Sequence, residues 1–228
     1  MTAVQELEAD PVGFIRHYLL KIANSCNDPP PQAYQADGTI LLTLEDVTTT
    51  YGGVQRNRNR KGVYALNNWI QGTTQSKATR IYRVRPAVAT DAESFAAYIC
   101  PYRTDASLSK QLGNAASLMF TAEMSGCSFG IGIQSKAGVL VMHSNEARLA
   151  TQDSTDPQVQ GQLQALQTGN ASARMLQPGM YRHVDDNGMD TRSTTLGIRV
   201  GGKWEFWYQN FNFGVGNGDK IIRVSKIR

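Results

Sequence analysis

The residues with the clearest potential for covalent chemistry are one cysteine and one histidine on either side of a predicted β-turn. Cys127 follows Gly126, and His143 lies sixteen residues further along the chain. A thiol attacks a carbonyl carbon as its thiolate, so a nucleophilic cysteine needs a neighbouring base or a favourable electrostatic field. Imidazole is the most common base for this purpose. We therefore interpret Cys127 as a nucleophile that is served by His143.

The residues beside Cys127 are suited to the same chemistry. A glycine at position 126 removes side-chain bulk, so the backbone can turn sharply and a substrate can approach. Main-chain N–H groups around the thiol would then stabilise an oxyanion. We assign substrate-binding and oxyanion roles to Ser125, Gly126 and Ser128.

Both principal residues also have a plain structural interpretation. A cysteine in an apolar run is commonly a small buried hydrophobe, and a single histidine is commonly a structural residue. His183 competes with His143 for the role of the base. Cys26 precedes a polyproline turn and Cys100 precedes a proline, and neither has a base or a glycine beside it. Of the three thiols, Cys127 has the neighbours best suited to catalysis.

A β-hairpin is predicted to bring the thiol and the imidazole together. The apolar runs 129–133 and 139–143 are separated by the turn-forming sequence Ser-Lys-Ala-Gly at 135–138. Two apolar runs joined by a turn-forming sequence are typical of a hairpin. Because side chains on adjacent antiparallel strands approach to within about 5 Å, Cys127 and His143 would need no long-range assembly.

The remaining segments predict many short strands and a few helices. Asp10-Pro11 is a typical helix start, and apolar residues then recur at helical spacing, so an amphipathic helix is predicted over residues 11–24. Strands are predicted at 39–51, 63–66, 69–70, 80–85, 196–200, 204–213 and 221–227. A short helix is predicted over 91–98, with extended chain at 99–102. Two further segments have two interpretations each: 108–119 as a helix or a strand, and 151–173 as a mobile connection or a short helix.

These elements predict an α+β fold, with central packed mixed or antiparallel β-sheets that resemble a β-sandwich and a few peripheral helices. The length of 228 residues suits one sizeable core, and no repeat or linker divides the chain. We therefore predict a single catalytic domain over residues 1–228, with its active-site segment at about 118–145.

Composition excludes several classes of protein. No apolar run is long enough to cross a bilayer, and no basic segment precedes an apolar core at the N-terminus, so we expect no conventional secretory signal. Three cysteines without CxxC spacing predict neither a disulfide framework nor a zinc knuckle, and they suit a reducing cytosol. We expect neither a metal nor a cofactor.

Positive charge is concentrated between residues 47 and 90, which contain no acidic residue. One interpretation is a solvated loop or sheet edge, where basic side chains discourage edge pairing. The other is a surface that steers an acidic protein or a nucleic acid into place. The basic residues of this stretch are Arg56, Arg58, Arg60, Lys61, Lys77, Arg80, Arg83 and Arg85.

One segment resembles a known family. The pattern Thr121-x-x-x-Ser125-Gly126-Cys127, followed by a strand that ends in His143, resembles the active site of the Burkholderia lethal factor and cytotoxic necrotizing factor family of glutamine deamidases. The resemblance extends more remotely to the chemotaxis receptor glutamine deamidases. It covers residues 118–145, with methionine at 124 where the family usually has leucine and with a somewhat longer cysteine-to-histidine interval.

The resemblance implies hydrolysis of a glutamine side-chain amide to glutamate through a thioester on Cys127. His143 would move the proton, and Thr121 would orient the imidazole through its hydroxyl or its main-chain carbonyl. No cofactor would take part. The substrate would be a host protein, such as a GTPase or the helicase of translation initiation, and nucleic acid is not the expected partner.

The resemblance further implies a bacterial toxin or effector that is made in the bacterial cytoplasm and acts in the cytosol of the host. Substrate recognition would then depend on surface loops. We expect the docking face to be the basic region, above all Arg56, Arg58, Arg60 and Lys61.

Two other classes of function are alternatives to the deamidase. A cysteine protease or transglutaminase-like enzyme would use the same pair of residues on a different acceptor. A non-enzymatic nucleic-acid-binding or adaptor protein would use the basic stretch as its working surface, with Cys127 only as part of the core.

Overall fold

The computed structural model describes residues 1–29, 34–48, 80–145, 157–166, 174–182, 191–212 and 220–228. The predicted strands at 63–66 and 69–70 lie outside the described residues. His183 and the predicted docking residues Arg56, Arg58, Arg60 and Lys61 also lie outside them.

Two β-sheets dominate the described residues, as predicted. The strands are β1 (Leu19–Ile22), β2 (Ile40–Asp46), β3 (Ile81–Pro86), β4 (Phe95–Cys100), β5 (Ala106–Leu112), β6 (Leu118–Thr121), β7 (Ser128–Ser135), β8 (Gly138–Asn145), β9 (Arg174–Leu176), β10 (Thr191–Val200), β11 (Lys203–Asn212) and β12 (Lys220–Lys226). The larger sheet has the order β1-β3-β2-β4-β6-β10-β11-β12, and the smaller has the order β5-β8-β7-β9. The larger sheet is mixed, because β1 with β3 and β4 with β6 are parallel pairs.

The two sheets pack face to face around one apolar cluster. Met119 and Phe206 of the larger sheet and Phe129 and Val141 of the smaller sheet are all fully buried in it. Burial of such side chains on both inner faces is the main favourable term that holds stacked sheets together. The predicted α+β class with packed sheets is therefore confirmed.

Helices cover the outer faces. The helices are α1 (Ala3–Ala9), α2 (Pro11–His17), α3 (Pro157–Leu166) and α4 (Pro178–Tyr181), with a 3₁₀ turn at Asn24–Cys26. Helices α1 and α2 bury Leu7 and Phe14 in a second apolar cluster with residues of the larger sheet. Helix α3 lies on the smaller sheet, where a side chain on Gly130 would collide with Leu166 at 2.3 Å.

The predicted helix over residues 11–24 is wrong in its second half. Its start is as predicted, since the Asp10 carboxylate accepts the Gly13 N–H at 2.9 Å with Pro11 at the first helical position. The chain leaves the helix at His17, and β1 then pairs parallel with β3. The side-chain amide of Gln209, from β11, bonds main-chain groups on both sides of this change of direction. A distant residue therefore ends the helix, which local periodicity could not reveal.

The ambiguous segments resolve into regular structure. The short helix predicted over 91–98 is wrong, because residues 95–100 form the strand β4 between β2 and β6, where burial between neighbouring strands overrides local propensity. The segment 108–119 contributes to two strands, β5 and β6, and 151–173 contains helix α3. The hairpin of β7 and β8 is confirmed, and its turn ends at Gly138, whose φ of 117° is readily adopted only by glycine.

Candidate active site

Cys127 lies at the end of the loop that crosses from the larger sheet to the smaller one. Strand β6 ends at Thr121, and β7 begins at Ser128. The loop is tied to β10 by two main-chain hydrogen bonds between Met124 and Ser193, of 2.8 and 3.0 Å. Cys127 is 5% exposed and belongs to the apolar cluster between the sheets. Its thiol is therefore held at the inner face, at one end of that cluster.

His143 lies on the neighbouring strand and on the same side of the smaller sheet. It pairs with Phe129 across the β7–β8 ladder, and Cys127 precedes Phe129 by two residues. Cys127 lies one residue before β7, and the alternation of side chains, continued to that residue, would place it on the face of His143 and diagonally across the two strands. The imidazole is 1% exposed.

Thr121 provides a direct contact from the larger sheet to the imidazole. Its Oγ1 lies 2.6 Å from His143 Nδ1, and it donates to the carbonyl of Cys100 at 3.0 Å. A threonine hydroxyl has a single hydrogen. With that hydrogen directed to Cys100, Oγ1 accepts from Nδ1, which favours the tautomer that is protonated on Nδ1. The contact with the imidazole is thus made by the threonine hydroxyl rather than by its main-chain carbonyl.

This arrangement fixes the tautomer of His143. With the hydrogen on Nδ1, the lone pair is on Nε2, and Nε2 is buried without a hydrogen-bond partner among the described residues. Burial lowers the pKa of His143 to about 3. The imidazole is consequently neutral near pH 7, with its basic nitrogen available to accept a proton.

The thiol of Cys127 is also neutral. Burial raises its pKa to about 11, against the opposing effect of a backbone hydrogen bond from Ser125. The resting site therefore contains a thiol and an imidazole rather than a preformed thiolate–imidazolium pair. In such a site the proton leaves the sulfur as the nucleophilic attack takes place, which is how neutral hydroxyl–imidazole pairs operate.

Tyr181, in helix α4, fixes the loop of the cysteine and was not found from the sequence. Its Oη accepts the Gly126 N–H at 3.0 Å and donates to the carbonyl of Cys127 at 2.7 Å. The ring is fully buried, and the carbonyl of Tyr181 accepts hydrogen bonds from Thr191 and Asn210. The only signal in the sequence was the proline-glycine start of the short helix, which does not indicate this contact.

Helix α3 fixes the strand that follows the cysteine. The Ser128 hydroxyl donates to Gln162 Oε1 at 2.6 Å and accepts from Gln158 Nε2 at 3.1 Å. Gln162 also donates to the carbonyl of Met142 at 2.7 Å. All three of these side chains on α3 and β7 are buried. Ser128, predicted to bind substrate, is thus placed by the structure in a buried network with the helix.

The structure separates the other two predicted substrate-binding residues. Ser125 is exposed at the mouth of the loop, whereas the Gly126 N–H is bonded to Tyr181. A side chain added to Gly126 would meet only Arg182, at 3.9 Å, and the φ of this glycine is not positive. The glycine is therefore not required by a sharp turn.

A polar cleft of about 670 Å³ opens beside the Cys127 loop, and we call it the basic cleft. Its lining includes Ala122 and Ser125, from the loop of Cys127, and Tyr102, but neither Cys127 nor His143. The Tyr102 ring packs on the His143 ring with centroids 5.0 Å apart. Within the described part of the chain, the charged side chains that line the cleft are Lys21, Arg83, Arg85, Arg192 and Glu123.

The two arginines shared by the basic cleft and the basic stretch of the sequence are paired with carboxylates. Arg83 bonds Glu45 at 2.7 Å, and Arg85 bonds Asp91 at 2.6 Å. Arg85 holds the pKa of the Asp91 carboxyl at about 2. Glu45 and Asp91 lie just outside the acid-free residues 47–90. The fold brings these two carboxylates to Arg83 and Arg85 and so neutralises part of the positive charge of the basic stretch.

Cys26 and His17 lie away from this chemistry, whereas Cys100 adjoins it, because it pairs with Thr121 across β4 and β6 and its carbonyl accepts from the Thr121 hydroxyl. Cys26 and Cys100 are buried, and burial raises the pKa of each to about 12. His17 bonds the Gly13 carbonyl through Nδ1 on the exposed side of α2. Within the described residues, no group of three His, Cys, Asp or Glu side chains is placed to hold a metal ion. Among the described helices, none has the length and apolar character to cross a membrane.

The burial of His143 predicts an acid-dependent loss of stability. In the unfolded chain its pKa is about 6.5, so below that pH the unfolded state binds a proton that the folded state excludes down to about pH 3. The stability present above pH 6.5 is therefore lost as the pH falls. Between pH 7.5 and 4.5 this residue should cost about 2 to 3 kcal/mol of unfolding free energy.

Urea unfolding at these two pH values measures the effect. His143→Asn should reduce the loss of unfolding free energy between them by that amount, while His17→Asn, at an exposed site, should leave it unchanged. An equal loss in the wild type and in His143→Asn would contradict the buried neutral imidazole.

Comparison with known proteins gives a distant structural likeness to a solved structure. No family model matches the chain, and no curated protein matches it. Among solved structures, the C-terminal domain of CNFy from Yersinia pseudotuberculosis is similar at a TM-score of 0.31 and 12% sequence identity, over 58% of this chain and 61% of that chain. The chain thus spans about three fifths of the length of the structure that it matches. A TM-score of this size does not establish a shared fold, so function must be inferred from the residues of the site.

Proposed function

We propose that the protein is a cysteine-dependent glutamine deamidase that converts a glutamine of a host protein to glutamate. The observation that carries this proposal is the 2.6 Å contact between Thr121 Oγ1 and His143 Nδ1. It orients the imidazole and leaves the Nε2 lone pair free on the side of the sheet that Cys127 shares. The motif Thr121-x-x-x-Ser125-Gly126-Cys127 supplies the substrate class by its resemblance to the deamidase family.

The proposed reaction has two halves. Cys127 Sγ attacks the carboxamide carbon while its proton passes to His143 Nε2. The tetrahedral intermediate collapses to a thioester as the protonated Nε2 gives its proton to the departing ammonia. His143 then takes a proton from water as the water oxygen attacks the thioester, and return of the proton to sulfur frees the glutamate. One water is consumed and one ammonia is released for each glutamine.

A side-chain rotation is required for the first step, because the resting thiol makes no hydrogen bond to Nε2 among the described contacts. Catalytic hydrogen bonds of this kind commonly form only when substrate is bound. Tyr181 holds the loop during the rotation through the main chain of Gly126 and Cys127, so only the Cys127 side chain has to move.

The partner and the setting of the reaction are proposed from the resemblance. The substrate is a host protein, a GTPase or the helicase of translation initiation, and the predicted docking residues Arg56, Arg58, Arg60 and Lys61 remain a proposal. The protein would be a bacterial toxin or effector that is made in the bacterial cytoplasm and acts in the host cytosol.

Incubation with a eukaryotic cytosolic extract tests the reaction class. Purified wild-type protein should release ammonia from the extract, and Cys127→Ser should release none above background, with Cys26→Ser as the matched control that retains the activity. Incorporation of a labelled primary amine in place of ammonia release would indicate a transglutaminase-like reaction. New peptide fragments without ammonia would indicate a protease.

A further inference from the structure

Two neighbouring strands of the larger sheet lead into the two loops that flank the strand of His143. Strands β4 and β6 are parallel and end side by side, with Cys100 paired to Thr121. The loop after β6 leads to β7 and carries Cys127, whereas the loop after β4 leads to β5 and carries Tyr102. Both β5 and β7 pair with β8, the strand of His143. The topology therefore places one crossing loop on each side of that strand.

Tyr102 contacts β8 at two points. Its ring packs on the imidazole of His143, with centroids 5.0 Å apart and an interplanar angle of 57°. Its hydroxyl accepts from Asn145 Nδ2 at 2.7 Å. Because His143 and Asn145 are two residues apart on β8, their side chains lie on the same face of the sheet. The tyrosine side chain is thus held along the strand, with its ring on the histidine and its hydroxyl at the asparagine.

The imidazole under Tyr102 is more buried than the tyrosine itself. His143 is 1% exposed, whereas Tyr102 is half-buried. Tyr102 lines the basic cleft, and His143 does not. The tyrosine therefore contacts both the cleft and the imidazole, and it contributes to the barrier between solvent and the histidine.

The hydrogen bond to Thr121 alone does not fix the orientation of the imidazole. It holds one atom, Nδ1, and a ring held at one atom can still turn about that contact. The other nitrogen of His143, Nε2, has no hydrogen-bond partner within the described residues. Packing of a second aromatic ring against the imidazole restricts its plane. Tyr102 makes this contact, so it supplies the restraint that the hydrogen bond lacks.

We propose that Tyr102 is a positioning residue that fixes the plane of the His143 imidazole and shields it from the solvent of the cleft. Its contribution to the reaction rests on the proposed function, because a fixed plane directs Nε2 to a constant position for proton transfer. The shielding of the imidazole is a property of the folded protein and does not depend on the reaction.

Carbethoxylation of the histidines by diethyl pyrocarbonate at pH 7 measures the shielding without any substrate. Peptide mass spectrometry separates His143 from the exposed His17, which is the internal reference. Modification of His143 relative to His17 should be at least about tenfold faster in Tyr102→Ala than in the wild type, because removal of the ring opens the imidazole to the reagent. Tyr102→Phe keeps the ring and loses only the bond to Asn145, so its rate should be within about threefold of the wild type.

Nitrogen NMR of the protein with ¹⁵N-labelled histidine, at pH 7, measures the positioning. In the wild type, His143 should give separate signals for a protonated Nδ1 and an unprotonated Nε2. In Tyr102→Ala these signals should move toward each other, because a ring that turns freely exchanges between tautomers. Ammonia release from the cytosolic extract should fall about 10- to 100-fold in Tyr102→Ala, since a small misplacement of a catalytic group is costly. Tyr102→Phe should restore both properties.

Tyr98→Leu is the matched control. Tyr98 belongs to the apolar cluster against which Tyr102 packs, but its ring packs on Trp204, with centroids 5.9 Å apart. This variant should leave the modification of His143 unchanged. Unchanged modification of His143 in Tyr102→Ala, or an equal increase in Tyr98→Leu, would overturn the proposal.

The two kinds of measurement separate this proposal from the proposed function. Faster modification of His143 in Tyr102→Ala, in a protein whose wild type releases no ammonia, would retain Tyr102 as the shield of His143 and reject the deamidase. Full ammonia release by Tyr102→Ala would retain the deamidase and overturn the positioning role of Tyr102.

Discussion

Replacing His143 by asparagine is expected to slow deamidation by about 10²- to 10⁴-fold, the range that a general acid–base residue contributes. The asparagine amide can donate to Thr121 Oγ1 from near the position of Nδ1, but it has no atom near the position of Nε2. The contact that orients the residue is thus kept, while the proton acceptor is removed. Ammonia release from cytosolic extract, at equal concentrations of folded protein, measures the change.

Two other histidines provide the comparison. His17→Asn, at the exposed site on α2, should retain full activity. His183→Asn tests the competing base, and it should also retain activity. If His143→Asn kept its rate within threefold of the wild type, the assignment of His143 as the base would be wrong.

Alkylation of Cys127 by iodoacetamide at pH 7 is expected to be at least about 100-fold slower in the folded protein than in the urea-unfolded chain. The pKa of this thiol rises from 9.0 to about 11 on folding, so the fraction present as thiolate at pH 7 falls about 100-fold. The rate in the folded protein should then increase about tenfold per pH unit from pH 7 to 10. Mass spectrometry of the peptide that contains Cys127 separates it from Cys26 and Cys100.

The deamidation rate should behave differently over the same range. His143 is neutral above about pH 3 and the thiol is protonated below about pH 11, so the reactive neutral pair keeps the same population from about pH 5 to 9. Rapid alkylation with a plateau above pH 5 would instead reveal a thiolate–imidazolium pair and would contradict the neutral site.

The parts of the fold that the sequence predicts well are those set by local chemistry. The hairpin of β7 and β8 depends on two apolar runs and on a turn with glycine at position 138, all within one short segment. The N-cap at Asp10 with Pro11 is local in the same sense. In both cases the residues that determine the structure are neighbours in the chain.

The parts of the fold that the sequence does not predict depend on contacts between residues that are far apart in the chain. The helix predicted to continue to residue 24 gives way to β1 because the side chain of Gln209 bonds the main chain there. Strand β4 is extended because it is buried between β2 and β6, where tertiary context overrides local propensity. Periodicity within a segment contains no information on such partners.

The residues of the candidate site also fall into those that the sequence predicts and those that it does not. Cys127 and His143 could be proposed from one hairpin, and Thr121 from a motif. The supports could not be proposed, because Tyr181 lies more than fifty residues beyond the cysteine and the glutamines of α3 come from a separate helix. Nor does sequence reveal that burial would keep the thiol and the imidazole neutral.

The most direct measurement is a site-resolved search for deamidated glutamines in eukaryotic cells that express either the wild type or Cys127→Ser. We expect one or a few glutamines, in a specific host protein, to gain about one mass unit only with the wild type. Identical glutamine profiles, with equal toxicity of the two proteins, would contradict the proposal that this protein is a glutamine deamidase.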